Sequence, residues 1–179
     1  MRAKWLCLAA LAAGCGPGHA IFNVDVYSFM SPAQHTVSYV VPPTTPNFTT
    51  SSPAQRINLP GVGSSLVDSI MIFGTDSIYN TSGGPGTIGL QVFMASDSLG
   101  TFTNPDTALT VIPKAVSGVQ TIPDTVRGKL RPNVDSLFTK SKLWVRVEAQ
   151  ASNSGPAPLQ GKMVLQSLLL TVVITDKIF

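Results

Sequence analysis

The chain has 179 residues, 44% hydrophobic and 7% aromatic, with twelve Lys and Arg against nine Asp and Glu. That apolar content excludes a disordered chain, and a net charge of +3 excludes the basic footprint of a nucleic-acid binder. The acids are eight Asp and a single Glu, which favours turns over helices.

At the N-terminus, Arg2 and Lys4 precede nine uninterrupted apolar residues, Trp5 to Ala13. A membrane-spanning helix needs about 20, so the stretch fits the core of a secretory signal instead. The residues that follow, Ala12-Ala13-Gly14-Cys15, resemble the lipobox of bacterial lipoproteins. The resemblance implies removal of residues 1–14, a lipid on Cys15, and a place in the cell envelope at the outer membrane or cell surface. Ala12 departs from the pattern, since the family usually has Leu there. A competing exit is Gly18-His19-Ala20, where an ordinary signal peptidase would remove residues 1–20 and leave a soluble secreted or periplasmic protein starting at Ile21. Either cut takes Arg2 and Lys4 away and leaves ten basic against nine acidic residues, a charge of +1. Cys7 and Cys15 are the two cysteines, so the mature chain has no internal disulfide and depends on its core. Residues 15–20 then form a short tether, and 21–179 a single domain.

The remaining sequence reads as strands. In "IFNVDVYSF" Phe22, Val24 and Val26 oppose Asn23, Asp25 and Tyr27. Further strands are predicted at His35–Val41 and Leu66–Phe73. "TIGLQVFMA" sets Ile88, Leu90, Val92 and Met94 on one face, and "KLWVRVEAQA" does the same with Leu143, Val145, Val147, Ala149 and Ala151. Period-two alternation marks a half-buried strand. From Leu168 to Ile174 both parities are apolar, which predicts a central strand covered on both sides. One helical turn is expected between Val134 and Lys140. Turn signals such as Ser82-Gly83-Gly84-Pro85-Gly86 and Asn153-Ser154-Gly155-Pro156 separate these segments. The expectation is an all-β, antiparallel β-sandwich, immunoglobulin-like or jelly-roll, with little or no helix.

Two segments break the rhythm. Residues 42–55, rich in Pro, Thr and Ser, are expected to form a loop that crosses between sheets. "IPKAVSG" and "IPDTVRG", ten residues apart, each carry a proline that confines them to edges or corners. Lys114, Arg127, Lys129, Arg131, Lys140, Lys142 and Arg146 fall in one third of the chain. They are read as solvated loop and edge residues that discourage aggregation, or as a surface for anionic lipid headgroups or an acidic partner.

Catalytic motifs are missing. His35 is alone once His19 goes with the tether or signal, which excludes a histidine-cysteine metal site and leaves a serine triad one candidate base. Asp76, Asp97 and Asp106 lack the spacing of a calcium loop. No cofactor, metal or catalytic residue is indicated. The candidate ligand face is Trp144, Arg146, Glu148 and Gln150, which project from one side of one strand. A planar ring flanked by hydrogen-bonding groups suits a glycan. The function expected is a non-catalytic, exported, lipid-anchored envelope protein, a structural or interaction subunit. Its partners would be the membrane through Cys15 and other envelope proteins. The alternative is a glycan-binding module using the Trp144 face. Nucleic acid is not expected as a partner.

Overall fold

A computed structural model describes residues 18–59, 66–130 and 136–176. The signal segment and Cys15 lie outside the described residues, as does Arg131. The described residues form eleven strands: β1 (Gly18–Asp25), β2 (Thr36–Val41), β3 (Phe48–Ser51), β4 (Gln55–Asn58), β5 (Leu66–Asn80), β6 (Gly86–Ala95), β7 (Asp106–Thr110), β8 (Lys114–Val116), β9 (Gln120–Lys129), β10 (Lys142–Asn153) and β11 (Leu159–Asp176). Every pairing is antiparallel. In sheet A, β1 and β2 lie end to end along β11, followed by β5 and β9. In sheet B, β3 and β4 lie end to end along β10, followed by β6 and then β7 and β8.

Joined end to end, these pieces give eight strand positions. Their order is first, eighth, third, sixth in sheet A and second, seventh, fourth, fifth in sheet B. Of the two expected sandwich topologies, this is the jelly roll. Three of its four edges are split into short strands, a device that limits edge-to-edge pairing. The split between β3 and β4 falls at Ser52, whose N–H donates to the Val147 carbonyl (2.8 Å) and whose hydroxyl accepts from the Val147 N–H (3.1 Å). Residues 42–47 carry the chain from β2 in sheet A to β3 in sheet B, but the expected loop at 42–55 is not all loop, since β3 (Phe48–Ser51) and the start of β4 at Gln55 lie inside it.

Alternation correctly assigns the inward faces of β6 and β10. Ile88, Leu90, Val92 and Met94 meet Leu143, Val145 and Val147 in the core, together with Ile70, Ile72 and Leu170 from sheet A. Pro113 precedes β8 and Pro123 sits in β9, both at sheet edges as predicted. Among the described residues, helix is confined to single turns: α1 (Pro32–His35), α2 (Gly100–Thr103) and two 3-10 turns, at Tyr27–Phe29 and Ser136–Thr139. The last falls where a helical turn was expected.

Four expectations need correction. β1 begins at Gly18, so Gly18 to Ala20 are paired with Ile174 to Asp176 and are not free tether. His35 ends α1 instead of opening β2: Ser31 caps that turn, its N–H donating to Gln34 Oε1 at 2.6 Å. β5 continues seven residues past Phe73. Part of its polar run finds partners: the Thr75 hydroxyl pairs with that of Ser167 at 2.6 Å, and Asn80 Nδ2 donates to the carbonyls of Gly84 and Gly118, each at 3.0 Å. Finally, β11 is central but bare on one side: Leu168, Leu170 and Val172 are buried while Leu169 is 37% exposed. A two-layer sandwich has nothing to place over the second face.

Candidate functional site

The outer face of sheet B carries the row singled out in the sequence. Trp144, Arg146, Glu148 and Gln150 on β10 lie beside Ala95, Phe93, Gln91 and Gly89 on β6. They do share a face, but they do not form an open platform. Arg146 is 4% exposed. Its Nε donates to the Thr101 carbonyl (2.9 Å) and its Nη1 to Glu148 Oε2 (2.6 Å). The guanidinium lies 4.6 Å from the Phe93 ring centre and 4.5 Å from that of Phe102. Turn α2 produces this closure by folding across the sheet. It is started by Asp97, whose Oδ1 accepts the Gly100 N–H at 2.7 Å. Arg146 is therefore a structural cation between two aromatic rings, an arrangement that alternation cannot distinguish from a solvated arginine. Gln150 Nε2 is bonded to Gln91 Oε1 (2.8 Å), and Trp144 is half-buried.

The described basic residues Lys114, Arg127 and Arg146 do not gather into one surface. Lys114 pairs with Asp124 at 2.7 Å, Arg127 lies 5.2 Å over the Phe73 ring on sheet A, and Arg146 is inside the sheet B cluster. Asp97 and Asp106 line one cleft beside α2, but Asp76 is in the interior of the sandwich. Among the described residues, His, Cys, Asp and Glu nowhere gather in groups of three or more. His35 stacks at a tilt on Tyr27, ring centres 4.8 Å apart.

Two arrangements escaped the sequence reading. The first is interior. Asp76 on β5 is directly opposite Asp124 on β9, and its Oδ2 has no hydrogen-bond partner. Burial, with the Asp124 charge adding to it and Lys114 opposing it, raises the Asp76 carboxyl to about 6.

The second is the outer face of sheet A. Ile21 is 67% exposed, Met71 49% and Leu169 37%, and half-buried Phe73 and Val173 lie among them. Strand register brings them together: Ile21 is opposite Val173, and Leu169 opposite Phe73. Thr171 lies among them, opposite Met71, its hydroxyl donating to Asn23 Oδ1 at 2.8 Å. The signal for this face was the double apolar parity of Leu168 to Ile174, taken as evidence of a covering layer within the same chain.

The candidate site is an exposed, partly apolar sheet face on a jelly-roll sandwich. No protein-family model matches the chain, and no curated protein matches its sequence. Solved structures offer distant likenesses. A chain from the structure of infectious bursal disease virus, Gx strain, is 13% identical with a TM-score of 0.48, covering 90% of this chain and 33% of its own length. TmCBM61, solved in complex with beta-1,4-galactotriose, is 13% identical with a TM-score of 0.31, covering 84% and 81%. Dimeric latent PorU from Porphyromonas gingivalis is 11% identical with a TM-score of 0.31, covering 91% and 14%. The chain spans about a third of the length of the virus chains it matches. These likenesses say nothing about what the chain does.

Proposed function

We propose that this protein is an exported, non-catalytic β-sandwich subunit, held in the cell envelope by a lipid on Cys15 and acting through protein contacts made by the outer face of sheet A. The observation that carries the reading is that Ile21, Met71 and Leu169 are exposed on one sheet face, with half-buried Phe73 and Val173 among them. A soluble monomer rarely leaves neighbouring large apolar side chains bare on one sheet, and such patches mark interaction sites. The lipobox-like residues before Cys15 support the anchor. Cys15 stands three positions before Gly18, the start of an edge strand of that sheet, so a lipid there would hold the sandwich close to the bilayer.

The test is fractionation of cells making the full chain or its Cys15→Ser variant. The wild type is expected in membranes with an acylated Cys15 at the mature N-terminus, and the variant in the soluble fraction. Unchanged membrane association of the variant, or a mature chain starting at Ile21, overturns the anchor. The glycan reading would need Trp144 fluorescence to respond to cell-wall or capsular glycans at millimolar concentration. The enclosure of Arg146 argues for no response.

A further inference from the structure

The outer face of sheet A carries acidic and basic side chains on opposite flanks. Its rows follow from strand register. One row crosses β1, β11, β5 and β9 as Asp25, Leu169, Phe73 and Arg127. The next is Asn23, Thr171, Met71 and Lys129. The β1 flank of these two rows is thus acidic or neutral, the middle mostly apolar, and the β9 flank basic. Arg127 is held on this face by the Phe73 ring beneath it. Among the described residues neither Arg127 nor Lys129 has a carboxylate partner. The Asp25 carboxylate is exposed and accepts one bond, from the Ser28 N–H at 3.2 Å.

We propose that the occupant of this face is a second copy of the chain, in a two-fold, face-to-face dimer with its axis parallel to the strands. Rotation about that axis reverses each row. Asp25 then meets Arg127 of the second copy, Leu169 meets Phe73, and Asn23 meets Lys129. An in-plane axis perpendicular to the strands would instead lay each strand on its own copy and set Arg127 and Lys129 against themselves. Closed, isologous pairs of this kind are the commonest oligomers, and opposed charges fix their register. Along the ten residues of β9 the opposite edge is the end of β1 and then β2, and four strand positions about 4.8 Å apart with ten residues at about 3.3 Å each offer a flat area on the order of 600 Å². A standard interface takes about 800 Å² from each partner.

The strand-parallel axis has a second consequence, which rests on the anchoring proposed above. It leaves both β1 starts at the same end of the dimer, so two lipids on Cys15 reach one bilayer. The perpendicular axis sends them to opposite ends.

The experiment is native mass spectrometry and sedimentation velocity on the full chain extracted in mild detergent, with charge-swap variants. Wild type is expected as a dimer at micromolar concentration. Asp25→Arg and Arg127→Asp should each weaken dimerisation by about tenfold or more, and the double variant Asp25→Arg/Arg127→Asp should restore it. A wild type that stays monomeric overturns the proposal. So does a dimer insensitive to the single swaps, or one that the double swap fails to restore. Wild-type chain binding anionic vesicles through Arg127 and Lys129 in place of dimerising assigns the face to lipid and also overturns it. The Cys15→Ser chain separates the two readings: soluble and dimeric upholds both, membrane-bound and dimeric removes the anchor alone, and soluble and monomeric removes the dimer alone.

Discussion

Replacing Asp76 by Asn should make the protein more stable at pH 8 than at pH 4, relative to wild type. Asp76 is 2% exposed, is opposite Asp124, and has an unpartnered Oδ2. Its carboxyl titrates at about 6 in the folded protein, against about 3.9 in an unfolded chain. The native state therefore binds more protons than the unfolded state between those values. Stability from this group is fully present below about pH 4 and is lost as pH rises through about 6. Two units correspond to about 3 kcal/mol, withdrawn from the wild type at pH 8 and absent from the Asn variant. Burying the neutral amide adds its own penalty, on the order of 1–3 kcal/mol, which does not vary with pH. The diagnostic quantity is thus the change in the variant-minus-wild-type difference between the two pH values, not either difference alone. Urea unfolding followed by Trp144 fluorescence at pH 4, 6 and 8 measures it. A difference that is flat across that range would show that Asp76 is not a strained carboxylate, and the reasoning would fail.

Other outcomes follow from the same geometry. Arg146→Lys cannot reproduce the planar contact with Phe93 and Phe102 or the bond to the Thr101 carbonyl, and should lower unfolding stability by about 1–3 kcal/mol in urea. Gly161→Ala would drive its new carbon into the Tyr79 carbonyl and the Tyr39 hydroxyl, and should cost more than about 3 kcal/mol by the same assay. Tyr39→Phe removes the buried bond to the Tyr79 carbonyl (2.9 Å) and should cost about 1–3 kcal/mol, the price of an unsatisfied acceptor.

The local pattern was sufficient for the elements whose two faces differ. Alternation placed Ile88 to Met94 and Leu143 to Ala151 on the core side, because a half-buried strand repeats every two residues whatever lies across from it. The turn signals and the shortage of Glu pointed to many antiparallel connections, and Pro113 and Pro123 marked edges because proline cannot donate to a ladder. By the same logic the sequence determined that Trp144, Arg146, Glu148 and Gln150 share a side.

It could not determine what that side meets. A period of two says which residues face together, while the covering of a face depends on contacts far apart in the chain. Arg146 and Glu148 look like solvated strand residues until α2, more than forty positions earlier, folds over them. Asp76 reads as a turn residue until β9 pairs with β5 and places Asp124 across from it, where low dielectric and like charge raise its carboxyl. The run from Leu168 to Ile174 specified apolar residues on two faces, and among the described residues only one of those faces is covered. The jelly-roll order, set by pairings such as β1 with β11 that join the two ends of the chain, supplied a core on one side and left Leu169 bare on the other.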